Sequence, residues 1–137
     1  MAQGSTARRP VGYQVAYLRR TITADDANAY GLTAVFKVGT VPAGSLIVRS
    51  YICVREAFNA QTNNLIDLGT AADPDAFATD ISLASVAIVQ ADETPGADNF
   101  PEADTDLVAQ LQLTGNPPST GIVDVVYEYI PPDEVEN

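Results

Sequence analysis

The length, composition and charge of the chain exclude several classes of protein before any segment is considered. Its 137 residues suffice for one domain with a core of its own, a single cysteine excludes an intrachain disulfide, and the lack of histidine removes the usual general base and the commonest metal ligand. The net charge is -11, yet all 7 basic residues lie in the first 55 positions. This split indicates a polarised surface, unless the fold interleaves the two halves; an acidic surface that keeps the protein in solution is the other interpretation.

The first ten residues differ in composition from the rest of the chain. Residues 1–10 are small, polar and basic, and they include Arg8 and Arg9. Because this segment has no apolar group to bury, we expect an arm that becomes ordered only against a partner. The sequence has neither the apolar region of a secretory signal nor a run of about 18 apolar residues, which predicts synthesis in the cytoplasm and no membrane partner.

From residue 11 onwards, strand-like segments alternate with turn sequences, and no helical period lasts longer than a turn or two. Strands are predicted over residues 13–23, 32–38, 45–58, 64–68, 81–89, 107–113 and 122–130. This pattern predicts an all-β domain over residues 11–131, a β-sandwich or jelly roll of about seven or eight strands without helices. Residues 132–137 form a short acidic tail.

The strand at residues 122–130 carries two different faces. Its inward face holds Val123, Val125, Tyr127 and Tyr129 by alternation. The opposite face holds Ile122, Val126 and Ile130 between Asp124 and Glu128, and it is too apolar to be left in water. It could meet a second sheet or a neighbouring subunit. We expect Ile122, Val126 and Ile130 to form the interface of a homotrimer or another closed ring.

The strand at residues 45–58 is the longest, and its alternation groups Ile47, Arg49, Tyr51, Cys53 and Arg55 opposite Leu46, Val48, Ile52 and Val54. The turn at residues 41–44 has proline second and glycine fourth, which predicts a hairpin spanning residues 32–58.

A face with Arg49, Tyr51 and Arg55 suits a protein partner. Equally, two exposed arginines could flank a half-buried tyrosine. The candidate partner-binding residues are Arg8, Arg9, Arg19, Arg20, Arg49, Tyr51 and Arg55.

Chemical function finds little support in the sequence. No pair of carboxylates is singled out for acid–base catalysis, no glycine-rich phosphate loop is present, and the acidic total opposes nucleic-acid binding. We therefore expect no enzymatic activity, no cofactor and no nucleic-acid partner. Asp73, Asp75 and Asp80 are close enough in sequence to hold a calcium ion, although their spacing does not match an EF-hand loop. The alternative is that Asp73 and Pro74 are there to form a turn.

Part of the chain resembles small virion structural proteins of tailed bacteriophages. The resemblance covers residues 36–89 and rests on VPAGS at 41–45, EAFNA at 56–60 and LGTAADPDAF at 68–77. Within that group the chain is most similar to capsid decoration (cement) proteins. That resemblance implies a jelly-roll trimer on the capsid exterior that binds the major capsid protein and stabilises the head. The alternatives are a head-fibre base, a tail protein, or a carbohydrate- or receptor-binding module with clustered tyrosines.

The charge distribution adds a prediction about how such a protein would attach. The first 55 residues hold seven bases and two acids, and the remainder holds sixteen acids and no base. We expect the early arginines to meet an acidic lattice, with the acidic later portion facing outward.

Overall fold

The computed structural model describes residues 15–91 and 95–132, so the predicted arm with Arg8 and Arg9 lies outside the described residues. The described chain folds into eight strands and one α-helix. The elements are β1 (Ala16–Thr23), α1 (Ala24–Tyr30), β2 (Val35–Val41), β3 (Leu46–Glu56), β4 (Asn63–Thr70), β5 (Ala78–Ser82), β6 (Ala87–Gln90), β7 (Thr105–Thr114) and β8 (Ile122–Ile130).

The strands form two antiparallel four-stranded sheets that face each other. The first sheet has the order β1-β8-β3-β6, and the second has the order β2-β7-β4-β5. The chain therefore crosses between the sheets at almost every connection, and only β4 and β5 are sequence neighbours within one sheet. This arrangement is a jelly roll, which confirms the predicted fold class.

The core lies between the sheets and consists of the inward residues of alternating strands. Val123, Val125 and Tyr127 of β8 are fully buried, which confirms the predicted alternation of this strand. Leu107, Ala109 and Leu111 of β7 are fully buried as well. The Tyr127 hydroxyl lies 2.5 Å from the Val108 carbonyl oxygen and 3.2 Å from that of Gly69. Both acceptors belong to the second sheet, so this phenol ties the two layers together. Burial raises the pKa of Tyr127, which keeps it a donor.

The predicted hairpin over residues 32–58 is wrong. β2 lies in the second sheet and β3 in the first, so the turn at residues 42–45 carries the chain from one layer to the other.

The face assignment at the start of β3 is also wrong. The pairing of β3 with β8 shifts between Ile47 and Arg49, and this bulge places Ile47 in the core while Leu46 and Val48 are exposed. Beyond the bulge, the predicted alternation holds.

Two further segments differ from the prediction. Residues 24–30 form helix α1, in which the Thr23 hydroxyl accepts from the Asp26 backbone amide and the Asp26 carboxylate accepts from the Thr23 amide. This reciprocal cap stabilises a helix too short to show a hydrophobic period. The segment at residues 81–89 is two strands, β5 and β6, that belong to different sheets.

The loops fall into two groups at opposite ends of the sandwich. The loops at residues 24–34, 57–62, 83–86 and 115–121 meet at one end, where the Ala24 amide donates to the Gly121 carbonyl. The loops at 42–45, 71–77 and 95–104 meet at the other, where the Gly44 amide donates to the Pro101 carbonyl. The second group contains five carboxylates and no basic residue (Asp73, Asp75, Asp98, Glu102 and Asp104). No helix among the described residues is long and apolar enough to cross a membrane.

Candidate functional site

The outer face of the first sheet gathers most of the residues that the sequence singled out. Its members, called here the arginine–tyrosine face, point away from the core on the three neighbouring strands β1, β8 and β3. They are Tyr17, Arg19, Arg49, Tyr51, Cys53, Arg55, Asp124, Val126 and Glu128. The register aligns them in rows: Arg19 and Tyr51 flank Val126, and Tyr17 and Arg49 flank Glu128.

Asp124 is the centre of one ionic cluster on this face. Its Oδ2 lies 2.8 Å from Nε of Arg55 and 3.2 Å from a terminal nitrogen of Arg19, while Oδ1 accepts from the Thr21 hydroxyl at 2.5 Å. Burial would raise the pKa of Asp124, but the hydrogen bonds from Thr21 and Arg55 and the charge of Arg19 outweigh it and hold that pKa below its ordinary value. The carboxylate is therefore charged at neutral pH.

Glu128 is the centre of a second cluster. Its Oε1 accepts from Nε and a terminal nitrogen of Arg49, both at 3.0 Å, and its Oε2 accepts from the Tyr51 hydroxyl at 3.1 Å. Partial burial and this contact with Glu128 raise the pKa of Tyr51, so the phenol stays protonated and acts as a donor.

The two clusters orient the arginines without covering them. The Asp124 and Glu128 side chains are 6% and 8% exposed, whereas those of Arg19, Arg49 and Arg55 are 61%, 51% and 54% exposed. Arg49 and Arg55 use their Nε edges for these internal bonds, which leaves other guanidinium donors facing outward. Three guanidiniums against two carboxylates leave one net positive charge. A shallow depression lined by Tyr17, Tyr51, Cys53 and Val126 lies among them.

Four of the predicted partner-binding residues, Arg19, Arg49, Tyr51 and Arg55, lie on the same side of the sheet as the predicted oligomer interface. Ile122, Val126 and Ile130 point outward on β8, the strand between Arg19 and the β3 residues Arg49, Tyr51 and Arg55. Val126 is only 8% exposed, because its neighbours on both sides fold over it. One of the three apolar residues that motivated the predicted homotrimer is therefore already covered within the subunit. The interface of Ile122, Val126 and Ile130 stays a prediction.

Arg20 is the described partner-binding candidate that does not join this face. Because it follows Arg19 on β1, it points to the other side of the sheet, where it donates to the Lys37 carbonyl at 2.9 Å and lies over the Phe36 ring. Cys53 is half-buried on the outer face.

The basic and acidic halves of the chain are interleaved rather than segregated. β8, from the acidic half, lies between β1 and β3, from the basic half. Two acids of the second half therefore neutralise arginines of the first. Asp124 and Glu128 belong to the candidate site, although they were not among the residues predicted for it. Their spacing of four places both on one face of a strand, opposite its apolar inward side, and this was the available signal.

The acidic residues considered for calcium show no such organisation. Interaction with the neighbouring Asp75 carboxyl raises the pKa of Asp73, and the Asp80 amide donates to the buried Asp67 carboxylate at 2.7 Å. Over residues 15–91 and 95–132, no three acidic or cysteine side chains are grouped so that they could hold one metal ion.

Comparisons with known proteins give matches in structure only. No family model matches the sequence, and no curated protein matches it. A chain in the cyanophage Pam1 capsid asymmetric unit superposes with a TM-score of 0.67 at 14% identity, over 96% of this chain and 92% of that one.

Two further capsid structures contain a similar chain. One is the acidic stable capsid of Helicobacter pylori bacteriophage KHP30 (TM-score 0.59, 14% identity, 91% and 96% coverage). The other is the capsid of Ralstonia phage GP4 (TM-score 0.58, 13% identity, 89% and 86% coverage). The chain therefore has the fold of chains found in phage capsids, and the resemblance seen in the sequence is confirmed at the level of fold.

Proposed function

We propose that this chain is a structural subunit of a phage virion, a decoration or cement protein that binds the outside of the major capsid lattice and stabilises the head. The observation that carries the proposal is the match along nearly the whole chain to chains of three phage capsid structures. A role in binding rather than catalysis agrees with the organised but shallow arginine–tyrosine face.

The arginine–tyrosine face is the surface we assign to the capsid contact. Its guanidiniums are held in place by buried carboxylates before any partner arrives, which lowers the entropy lost on binding. Its net positive charge, in a protein of net charge -11, favours an acidic partner surface. One face cannot contact both the capsid and a second copy through the same atoms, so the capsid contact and the predicted homotrimer compete for Ile122, Val126 and Ile130.

Binding of the purified protein to capsids that lack it tests this assignment. Arg19→Gln should lower the affinity by up to about fivefold per site, and the loss should multiply when several copies bind together. Arg20→Gln is the matched control, because it removes the same charge from the adjacent residue on the opposite side of the sheet. High salt should weaken binding of the parent protein.

The predicted arm enters the same experiment. Deleting residues 1–10, or combining Arg8→Glu with Arg9→Glu, should reduce occupancy without lowering the melting temperature of the free protein. Equal loss from Arg19→Gln and Arg20→Gln, or binding that is insensitive to salt, would contradict the assigned face. Failure of the parent protein to bind any capsid would contradict the decoration role itself.

A further inference from the structure

Strand β6 is an edge strand that lacks most of the features by which proteins protect such edges. Residues 81–91 contain no charged residue and no proline, and Val86 and Ile88 are 70% and 74% exposed. Among the described strands, β6 pairs with β3 on one side, and none of them pairs with the backbone groups of its other side. Such an edge invites pairing with another chain.

The other three edge strands of the described sandwich are each protected. β1 carries Arg19 and Arg20, β2 carries Lys37 next to a bulge, and β5 carries Asp80 with a positive φ of 57°. Charge and backbone irregularity of this kind prevent edge-to-edge association. β6 is short, at four residues, but it has neither charge nor irregularity.

The chain itself supplies a segment that suits this edge. Val11, Tyr13 and Val15 alternate with Gly12 and Gln14 directly before β1, so the sequence has a strand period and no charge. Within residues 15–91 and 95–132, β1 pairs with β8 alone, and Ala16 is opposite Tyr129. β8 is followed by Pro131 and Pro132, which have no amide to donate to a strand that extends β1 towards the N-terminus.

The distances direct this segment to another copy. β1 and β6 are opposite edges of the first sheet, three strand spacings or about 14 Å apart. Five extended residues span about 17 Å, so residues 11–15 would use almost their full length to cross the sheet and could not also lie along β6 of the same copy.

We infer that residues 11–15 of one copy pair with the β6 edge of a second copy. The contact joins different surfaces of the two copies, so repetition gives a closed ring when the rotation closes, through residues other than the predicted interface of Ile122, Val126 and Ile130. It also brings two copies of a strongly acidic protein together through uncharged segments. The inference deepens the proposed function, because it leaves the arginine–tyrosine face free for the capsid.

The test measures self-association of the full-length protein in the absence of capsids, by sedimentation equilibrium. Ile88→Lys blocks the edge and Tyr13→Lys blocks the segment, and each should raise the dissociation constant by about tenfold or more. Val35→Lys is the matched control: Val35 is an exposed apolar residue, 48% accessible, on the β2 edge, and its replacement adds the same charge. It should leave association unchanged, and all three variants should melt with the parent.

A mixture of the two variants decides between this pairing and a symmetric one. The Ile88→Lys protein keeps its segment and the Tyr13→Lys protein keeps its edge, so an equimolar mixture should recover dimers but no larger ring. A monomeric parent at tens of micromolar would overturn the inference. So would loss of association from Ile88→Lys alone without recovery in the mixture, since that result indicates β6 pairing with β6. Either outcome leaves the capsid-binding assay of the proposed function unaffected.

Discussion

The substitution Asp124→Asn tests whether the ionic cluster on the outer face contributes to stability through charge. Asparagine keeps the size of the side chain and one carbonyl oxygen for the Thr21 hydroxyl, but it removes the negative charge that Arg19 and Arg55 approach at 3.2 Å and 2.8 Å. The change therefore weakens the cluster without opening a cavity.

The expected loss in the free energy of unfolding lies between two limits. Breaking a fully buried ion pair costs about 3 to 5 kcal/mol, whereas an exposed pair contributes about 0 to 1 kcal/mol. Here the carboxylate is buried but both guanidiniums are more than half exposed and can be rehydrated. We expect a loss of about 2 kcal/mol, which for a domain of this size lowers the melting temperature by about 6 to 10 °C.

The pH dependence identifies charge as the cause. Because the folded pKa of Asp124 lies below its ordinary 3.8, the carboxylate contributes its full stability above that value and loses it as the pH falls through the lower folded pKa. The gap in melting temperature between parent and Asp124→Asn should be constant from about pH 7 to 5 and should close below about pH 4.

Asp106→Asn is the control for this experiment. Asp106 also pairs with a cation, Lys37 at 3.5 Å, but both side chains are exposed and solvent screens the pair, so its replacement should lower the melting temperature much less than Asp124→Asn does. Thermal unfolding followed by circular dichroism across the pH series gives both comparisons. A gap for Asp124→Asn that persists unchanged at about pH 2 would assign the loss to packing and refute the electrostatic account.

Two other substitutions test the packing of the sandwich by the same unfolding assay. Gly69→Ala should destabilise the protein by about 2 kcal/mol or more, because the new methyl group would overlap the Asp73 carbonyl oxygen. Gly96→Ala is the control and should be neutral, because no atom lies within 4 Å of the added methyl group. Equal melting temperatures of these two variants would contradict this prediction. Tyr127→Phe should cost about 1 to 2 kcal/mol by leaving the buried Val108 carbonyl without its hydroxyl donor, and an unchanged stability would show that this bond does not tie the sheets.

The sequence predicts the central strands well because their two faces differ clearly. In β7 and β8 every second residue is apolar, so the inward set could be assigned before the structure. At the start of β3, by contrast, Leu46, Ile47 and Val48 are all apolar, and a period of two cannot show which one enters the core or where a bulge shifts the register.

Topology and the site depended on long-range pairing that the sequence does not display. The proline–glycine turn at residues 42–45 suits a hairpin and a crossing between sheets equally, so its residues do not identify the sheet that β3 joins. Arg49, Tyr51 and Arg55 were predicted on one face, which the structure confirms. Their carboxylate partners come from the far end of the chain, and only the insertion of β8 between β1 and β3 brings them together.

That insertion has a consequence for how a subunit is made on the ribosome. Before β7 and β8 emerge, only the β3–β6 and β4–β5 pairs can form, because every other neighbour relation in the two sheets involves one of the last two strands. Such distant pairings fold slowly. A nascent chain thus holds Arg19 and Arg55 without their shared carboxylate until translation passes Asp124. Completion of the arginine–tyrosine face is therefore coupled to completion of synthesis, and truncated products lack the finished face.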